Sequence, residues 1–139
     1  MLSPFARFRK SKEKKQAEIL VNKGLSYLQG ALPHKALYQF QQALEVDSKV
    51  VSDLLTVEFD KYLKRGNNEL ALSLGHILLR INENDYELAN KLGNCARKLK
   101  NFKEANELYR QAFRINRKFE TAIYNLAASM GRIPKYNKD

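Results

Sequence analysis

Apolar side chains recur at intervals of three and four residues along most of this chain. Leu20, Gly24 and Leu28 follow that interval in one stretch, and Phe40 and Ala43 follow it in another. A helix brings such positions onto one face, whereas a half-buried strand would require strict alternation. The pattern therefore predicts a chain built from amphipathic α-helices.

The apolar pattern itself repeats with a longer period. Ala36, Ala71 and Ala105 lie 35 and 34 residues apart, and Gly93 follows Gly24 after 69 residues. Two antiparallel helices approach closely only where their side chains are small. Gly24 with Ala36, and Gly93 with Ala105, are therefore predicted to mark close contacts between paired helices. The spacing indicates three copies of a two-helix unit.

The third copy carries the pattern most completely, with Gly93, Ala105, Tyr109 and Ala112 at their expected offsets. A period of about 34 residues with small and aromatic side chains at these places resembles the tetratricopeptide repeat family. The resemblance extends over residues 17 to about 131. It implies an all-α fold, an α-solenoid of three tetratricopeptide-type helix pairs plus a C-terminal capping helix.

The predicted organisation has a tail at either end of one repeat domain. The three parts are a basic N-terminal tail over residues 1–16, the repeat domain over 17–131, and a C-terminal tail over 132–139. The copies are predicted at about 17–51, 52–85 and 86–119, with the capping helix at 120–131. Leu126, Ala127 and Met130 are expected to cover the last apolar face, and Gly131 and Pro134 to end the helix.

The middle copy departs from the family pattern at two positions. Phe59 stands where a small residue is usual, and Gly75 stands where an aromatic residue is usual. We interpret this as an exchange of volume between two helices, which predicts that Phe59 lies in the core. The family's closing proline is replaced in the three copies by Ser48, Glu83 and Arg117. Polar residues are expected to end the helices instead, namely Asp47, Asn82, Asn84 and Asn116, with an N-cap at Asn84 or Asp85.

The net charge of +10 is concentrated in two stretches. Residues 1–16 carry six cations against one acid, and residues 97–118 carry eight against two, whereas the stretch between them is slightly acidic. No apolar run approaches the roughly 18 residues that a membrane span needs, and the N-terminus lacks the apolar core of a secretory signal. A single cysteine, Cys95, forms no intramolecular disulfide. We therefore expect a cytoplasmic protein, with a peripheral position at a membrane as the alternative.

Motifs for catalysis, cofactors or metals are missing from the sequence. His34 and His76 lie 42 residues apart, and neither has a second ligand three or four residues away. The oxygen-rich stretch 82–87 lacks the glycine and the terminal glutamate of a calcium loop. No phosphate-binding glycine loop, serine elbow or Cys/His pair occurs. The sequence therefore favours a protein that is not an enzyme and that needs no cofactor or metal.

The family resemblance implies that the first helix of each pair lines a concave groove for a partner polypeptide. The implied groove residues are Val21, Asn22, Leu25 and Leu28, then Thr56, Val57, Asp60 and Lys64, then Asn90, Lys91, Asn94, Arg97 and Lys98, and finally Tyr124 and Asn125. The set begins apolar and becomes basic, which suits a partner segment with apolar anchors and acidic groups. The alternative is that these residues are ordinary solvated helix faces. The family's clamp for C-terminal carboxylates is absent, because Val21, Leu25 and Val57 occupy its places.

The basic N-terminal tail is open to three interpretations. Leu2, Phe5 and Phe8 are spaced by three and interleaved with cations, as in segments that lie on anionic bilayers. In the second interpretation, Phe5 and Phe8 cover the apolar groove of the first copy, in the same molecule or in a second one. In the third, the tail is disordered, and Pro4 is expected to limit its helicity.

Together these observations predict an adaptor or scaffold that captures a segment of another protein or a second copy of itself. The alternative is a peripheral membrane protein tethered by residues 1–16. Nucleic-acid binding is disfavoured, because the cations of residues 97–118 lack interleaved exposed aromatics.

Overall fold

A computed structural model describes residues 3–130, which form seven helices. They are α1 (Pro4–Gln29), α2 (Pro33–Val46), α3 (Ser48–Lys64), α4 (Asn68–Ile81), α5 (Tyr86–Lys98), α6 (Phe102–Ile115) and α7 (Glu120–Met130). No strand occurs within this range. Leu2, the predicted helix stop at Gly131 and Pro134, and the predicted tail 132–139 lie outside the described residues.

The chain divides into two compact units between Lys61 and Tyr62, inside α3. In the first unit, α1 packs against α2. In the second unit, α5 packs against both α4 and α6, and α7 packs against α6 and reaches α5. Packing between helices that follow one another in the chain is what a two-helix repeat requires.

Gly24 and Gly93 lie in close contact with the second helix of their pairs, but the nearest side chains there are Phe40 and Tyr109, whereas the predicted partners were Ala36 and Ala105. A Cβ atom added to Gly24 would lie 2.5 Å from the ring of Phe40, and one added to Gly93 would overlap the ring of Tyr109. Ala36 is fully buried in α2, as is Ala105 in α6. The side chain directly over each glycine is thus an aromatic ring one turn beyond the alanine, and the glycine makes room for it.

The repeat also appears in the backbone of the turn inside each helix pair. Ala31, Gly66 and Lys100 have φ of 61°, 71° and 64°, in the left-handed region. The residue after each of them donates its backbone N–H to a carbonyl five residues earlier, with N···O distances of 2.9 Å for Leu32 to Tyr27, Asn67 to Tyr62 and Asn101 to Ala96. This is the Schellman arrangement, which satisfies the last carbonyls of a helix. Only the middle turn has the glycine that this conformation favours.

Polar side chains cap several of the helix starts, whereas α2 begins after Leu32 without a side-chain cap. Asp85 is the N-cap of α5 and accepts a hydrogen bond from the Leu88 N–H at 3.0 Å, which settles the choice between Asn84 and Asp85. Asn67 and Asn101 do the same for α4 and α6. Asp47 accepts from the Val50 N–H at 3.1 Å, so α3 begins at Ser48, four residues before the predicted start of the second copy. Asn82 and Asn116 are the C-caps of α4 and α6, as expected.

The core contains Phe59, as predicted, with 2% of its surface exposed. Gly75 is also closely packed, since a Cβ atom there would overlap the Leu92 side chain of α5. The exchange of volume between Phe59 and Gly75 stays a prediction.

The closing helix α7 packs against α6 as expected, but through other residues than predicted. Ala122 and Ser129 are its buried positions, whereas Ala127 is exposed and Leu126 and Met130 are half-buried. The two buried residues are small, and small side chains let the helix axes approach closely.

The basic stretch before residue 17 is helical, which corrects two expectations. Pro4 does not limit helicity, because it occupies the first turn of α1, where the proline's missing N–H has no helical partner to lose. Ser3 caps the helix by accepting a hydrogen bond from the Ala6 N–H at 3.1 Å. The interpretation of this stretch as a disordered tail is therefore wrong for residues 4–16. No described helix combines the length and the apolar character of a membrane span.

Candidate functional site

The second unit brings five of the predicted groove residues together on one side of α5. Successive helical residues are rotated by about 100°, so this set falls within an arc of about 120°. The five residues are Asn90, Lys91, Asn94, Arg97 and Lys98. The remainder of α5 is occupied by its buried residues, including Leu92, Cys95 and Ala96. The helix therefore has a packed face and a polar face, and the polar face also carries the exposed acid Glu87 in the first turn.

Asn94 is held by a side chain that the sequence-based prediction did not include. The Tyr109 hydroxyl of α6 donates a hydrogen bond to Asn94 Oδ1 at 2.6 Å. Burial raises the pKa of Tyr109 above its ordinary value, Arg97 lowers it and Cys95 adds to the rise. The hydroxyl therefore keeps its proton at neutral pH. Since Oδ1 of Asn94 is engaged, the side-chain NH₂ group is left as a donor toward the polar face.

A second amide pair links α5 to the closing helix. Asn125 Nδ2 of α7 donates a hydrogen bond to Asn90 Oδ1 at 3.0 Å. Asn90 is 7% exposed and Asn125 is half-buried, so the bond is shielded from water. Tyr124, the neighbour of Asn125 in α7, is 76% exposed. The bond therefore ties the Tyr124 segment of α7 to the edge of the α5 face.

Cations predominate on this surface. Arg97, which is half-buried, and the exposed Lys98 are cationic donors one turn beyond Asn94, and Lys91 is a second exposed cation on the same helix. Among the described residues, no carboxylate lies within ion-pair distance of these three side chains. Such a surface offers hydrogen-bond donors and positive charge, which complement backbone carbonyls and carboxylates.

The remaining predicted groove residues have different environments. Asn22, Thr56, Val57, Asp60 and Lys64 are exposed, and Leu25 is half-buried. Val21 and Leu28 were expected to line the groove, but they are 2% and 3% exposed. They belong to the stripe of α1 that packs in the interior, so no partner reaches them in this structure. Asn90 likewise serves as an internal bracing residue and does not contact a partner directly.

Tyr109 was missed as a site residue because its position in the repeat indicated a core aromatic. That prediction is also correct, since the ring is fully buried and fills the space over Gly93. The hydroxyl at the far end of the ring carries the polar role. A phenylalanine at this position would preserve the packing and lose the hydrogen bond. The presence of a tyrosine here, where a phenylalanine would pack equally well, is the sequence feature that could have indicated a polar role.

Elsewhere in the second unit, His76 and Glu104 form a pair between α4 and α6. His76 Nε2 lies 2.7 Å from Glu104 Oε1, and Asn101 Nδ2 donates to Glu104 Oε2 at 2.7 Å. Within residues 3–130, no group of three metal-ligating side chains comes together. The pair therefore links the side chains of α4 and α6.

Residues 86–119, which comprise α5, α6 and the turn between them, match the model of the tetratricopeptide repeat family. The predicted resemblance to this family is confirmed. The match coincides with the predicted third copy, which the sequence pattern singled out as the most complete. The tetratricopeptide repeat so identified carries the whole cationic face of α5. No curated protein sequence matches the chain.

Several solved structures, two of them described as tetratricopeptide repeat domains, have a similar fold. A mutant of MamA superposes with a TM-score of 0.72 at 18% identity, over 86% of this chain and 89% of that one. The tetratricopeptide repeat domain of Arabidopsis OM64 gives a TM-score of 0.57 at 16% identity, over 87% and 99% of the two chains. The first such domain of Spaghetti (RPAP3), bound to an HSP90 peptide, gives 0.55 at 17% identity, over 84% and 91%. At these identities the likeness concerns the fold, and it confirms the predicted fold class.

Proposed function

We propose that this chain is a non-catalytic protein-interaction module, and that the polar face of α5 with the adjoining part of α7 binds an acidic segment of a partner protein. The observation that carries the proposal is the bond from the Tyr109 hydroxyl to Asn94 Oδ1. It fixes Asn94 as a donor next to Arg97 and Lys98, so the surface is complementary to carbonyl and carboxylate oxygens.

Two further features support a peptide as the ligand. The exposed ring of Tyr124 lies beside Asn125 in α7 and offers an apolar contact of the kind that anchors short segments. A similar fold, the first tetratricopeptide repeat domain of Spaghetti, has been solved with a peptide bound. Adaptor or scaffold activity in the cytoplasm fits this mode of binding and belongs to the same proposal.

The test uses a random peptide library displayed on phage, because the partner is not identified. Wild-type protein should select peptides enriched in Asp and Glu. The triple variant Lys91→Glu, Arg97→Glu, Lys98→Glu should bind the selected peptides at least about tenfold more weakly, since each lost attraction becomes a repulsion. The matched control reverses three other exposed cations of the second unit, Lys103, Arg114 and Lys118, and should retain binding.

The hydrogen bond from Tyr109 to Asn94 is tested by a separate variant. Tyr109→Phe preserves the packed ring and frees Asn94 Oδ1, so it should weaken binding severalfold while leaving the helical circular dichroism unchanged. Selection of peptides without acidic residues would reject the proposal. Equal losses in the α5 triple variant and in the control triple variant would reject it as well, because binding would then follow total charge.

A further inference from the structure

The first unit carries an apolar strip that no described helix covers. Phe5, Phe8 and Ile19 of α1 are 75%, 67% and 67% exposed. At about 100° per residue the three side chains fall within an arc of about 60°, along roughly 21 Å of helix. Exposing this much apolar surface on one face is unfavourable in water and marks an interaction surface.

This strip is distinct from the face of α1 that packs in the interior. Ala17, Val21, Gly24 and Leu28 are the buried residues of α1. Their mean direction lies roughly 160° around the helix from the exposed strip. The helix therefore has two apolar faces, one packed within the first unit and one directed to solvent.

Cations surround the exposed strip. Lys12 projects within the same arc as Phe8 and Ile19, whereas Lys15 lies about 20° beyond one edge of the arc and Arg9 about 40° beyond the other. Residues 4–16 carry six cations and one acid, Glu13. Within residues 3–130, no carboxylate forms an ion pair with any of these cations. The positive charge is therefore available to an anionic partner.

We propose that this face of α1, defined by Phe5, Phe8, Lys12, Lys15 and Ile19, docks on an anionic phospholipid bilayer with the helix lying along the surface. A bilayer interface accepts both components together: the rings enter the boundary between headgroups and acyl chains, and the lysines contact the phosphates. A nucleic acid would neutralise the cations and leave the apolar strip in water. Because the surface lies in the first unit, the proposal is independent of peptide binding by α5.

The first experiment is flotation of the full chain with phosphatidylcholine vesicles that contain or lack phosphatidylserine. The wild type should float only with phosphatidylserine. The double variant Phe5→Ala, Phe8→Ala retains every charge and should lower the partition coefficient by at least about tenfold, because two buried rings are lost. Its matched control, Leu32→Ala with Tyr38→Ala, removes two exposed apolar side chains of the same unit outside α1 and should change nothing.

The charge component is tested in the same assay. Lys12→Gln with Lys15→Gln should lower the partition coefficient by up to about thirtyfold, since each cation near the surface contributes up to about 1 kcal/mol. Lys23→Gln with Lys49→Gln removes two other exposed cations of the unit and should have a smaller effect. The variants alter exposed positions, and unchanged circular dichroism verifies that they fold.

A second measurement detects insertion directly. The chain contains no tryptophan, so Phe8→Trp introduces a single fluorescent reporter. Its emission should shift to the blue with phosphatidylserine vesicles and be quenched by brominated lipid, whereas Tyr38→Trp should show neither effect. Failure to float, flotation that the Phe5 and Phe8 substitutions leave unchanged, or a Phe8→Trp reporter that stays in water would overturn the proposal. Loss of flotation in the α5 triple variant would instead show that the two surfaces are not independent.

Discussion

At the scale of single residues, the glycine in the first helix of a pair makes room for an aromatic ring of the second helix. Gly24 faces Phe40 and Gly93 faces Tyr109, and both rings are fully buried. Each ring lies where a Cβ atom of the glycine would otherwise be. The pairing explains why small and aromatic residues recur together with the period of the repeat.

Gly93→Ala should therefore destabilise the protein by about 1–3 kcal/mol, although alanine is the better helix former. The added methyl group overlaps the buried Tyr109 ring, which must move. Urea unfolding followed by circular dichroism measures the change. Gly30→Ala is the control, since a Cβ atom there meets its nearest neighbour at an ordinary 3.4 Å; a loss of the same size in both variants would contradict the packing explanation.

Phe59→Ala should cost about 3–5 kcal/mol in free energy of unfolding, as expected for an aromatic side chain lost from a core. The side chain is almost completely buried in α3. Tyr38→Ala removes a ring of similar size from a position that is 58% exposed and should cost far less. A change below about 1 kcal/mol for Phe59→Ala would show that the surrounding helices collapse into the space without loss.

At the scale of helices and turns, the same Schellman turn is built three times from different residues. Ala31, Gly66 and Lys100 occupy its left-handed position, and only glycine adopts that conformation without a steric penalty from Cβ. Ala31 and Lys100 therefore place strain on the first and third turns, and the hydrogen bonds around each turn hold the conformation in place.

Lys100→Gly should stabilise the second unit by about 1 kcal/mol, because it removes the penalty for a left-handed residue that carries a Cβ atom. Lys100→Ala is the matched comparison: it removes the same charge and keeps the Cβ atom, so it should leave the free energy of unfolding nearly unchanged. Equal effects of the two substitutions in urea unfolding would mean that charge, and not backbone conformation, decides the outcome.

At the scale of the whole molecule, each unit has a basic surface with a different composition. In the first unit, the cations of α1 surround exposed phenylalanines, which suits an interface that is both apolar and anionic. In the second unit, the cations of α5 stand beside fixed amide groups, which suits the oxygens of a peptide. The two proposed binding surfaces therefore differ in their chemistry.

The protein should lose stability in alkali. Burial raises the pKa of the Cys95 thiol above its ordinary value of 9.0, with Lys98 opposing the rise. Burial also raises the pKa of Tyr109 above 10.0, with Arg97 opposing the rise and Cys95 adding to it. The unfolded chain releases these protons near the ordinary values while the folded chain retains them. Their contribution to stability is therefore complete below about pH 9 and is lost as the pH rises through the folded pKa values.

The variant Cys95→Ala, Tyr109→Phe should show a smaller decline in the free energy of unfolding between neutral and alkaline pH. Urea unfolding at a series of pH values measures it. Tyr124→Phe, which removes an exposed tyrosine of the same unit, should decline as the wild type does. Parallel pH profiles for the wild type and the double variant would show that these two groups do not control alkaline stability.

The sequence by itself determined the helices, their pairing and the resemblance to tetratricopeptide repeats, because close packing of two helices needs small residues such as Gly24 and Gly93 at fixed intervals. It also placed Phe59 in the core and the cationic residues of α5 on one face, since helical periodicity alone decides which positions share a side. Helix ends were less determined, because Asn84 and Asp85 are equally good caps until the backbone selects one.

Only the tertiary structure decided which apolar residues face a neighbouring helix and which face water. Val21 and Leu28 became interior residues, whereas Phe5 and Phe8 stayed exposed. The pattern of α1 contains apolar residues on two sides, and the choice between them depends on where α2 packs. The hydrogen bond from the Tyr109 hydroxyl to Asn94, fifteen residues earlier in the chain, was likewise decided by the tertiary structure. Such a bond depends on how two helices are positioned, and the spacing of residues in the sequence does not reveal it.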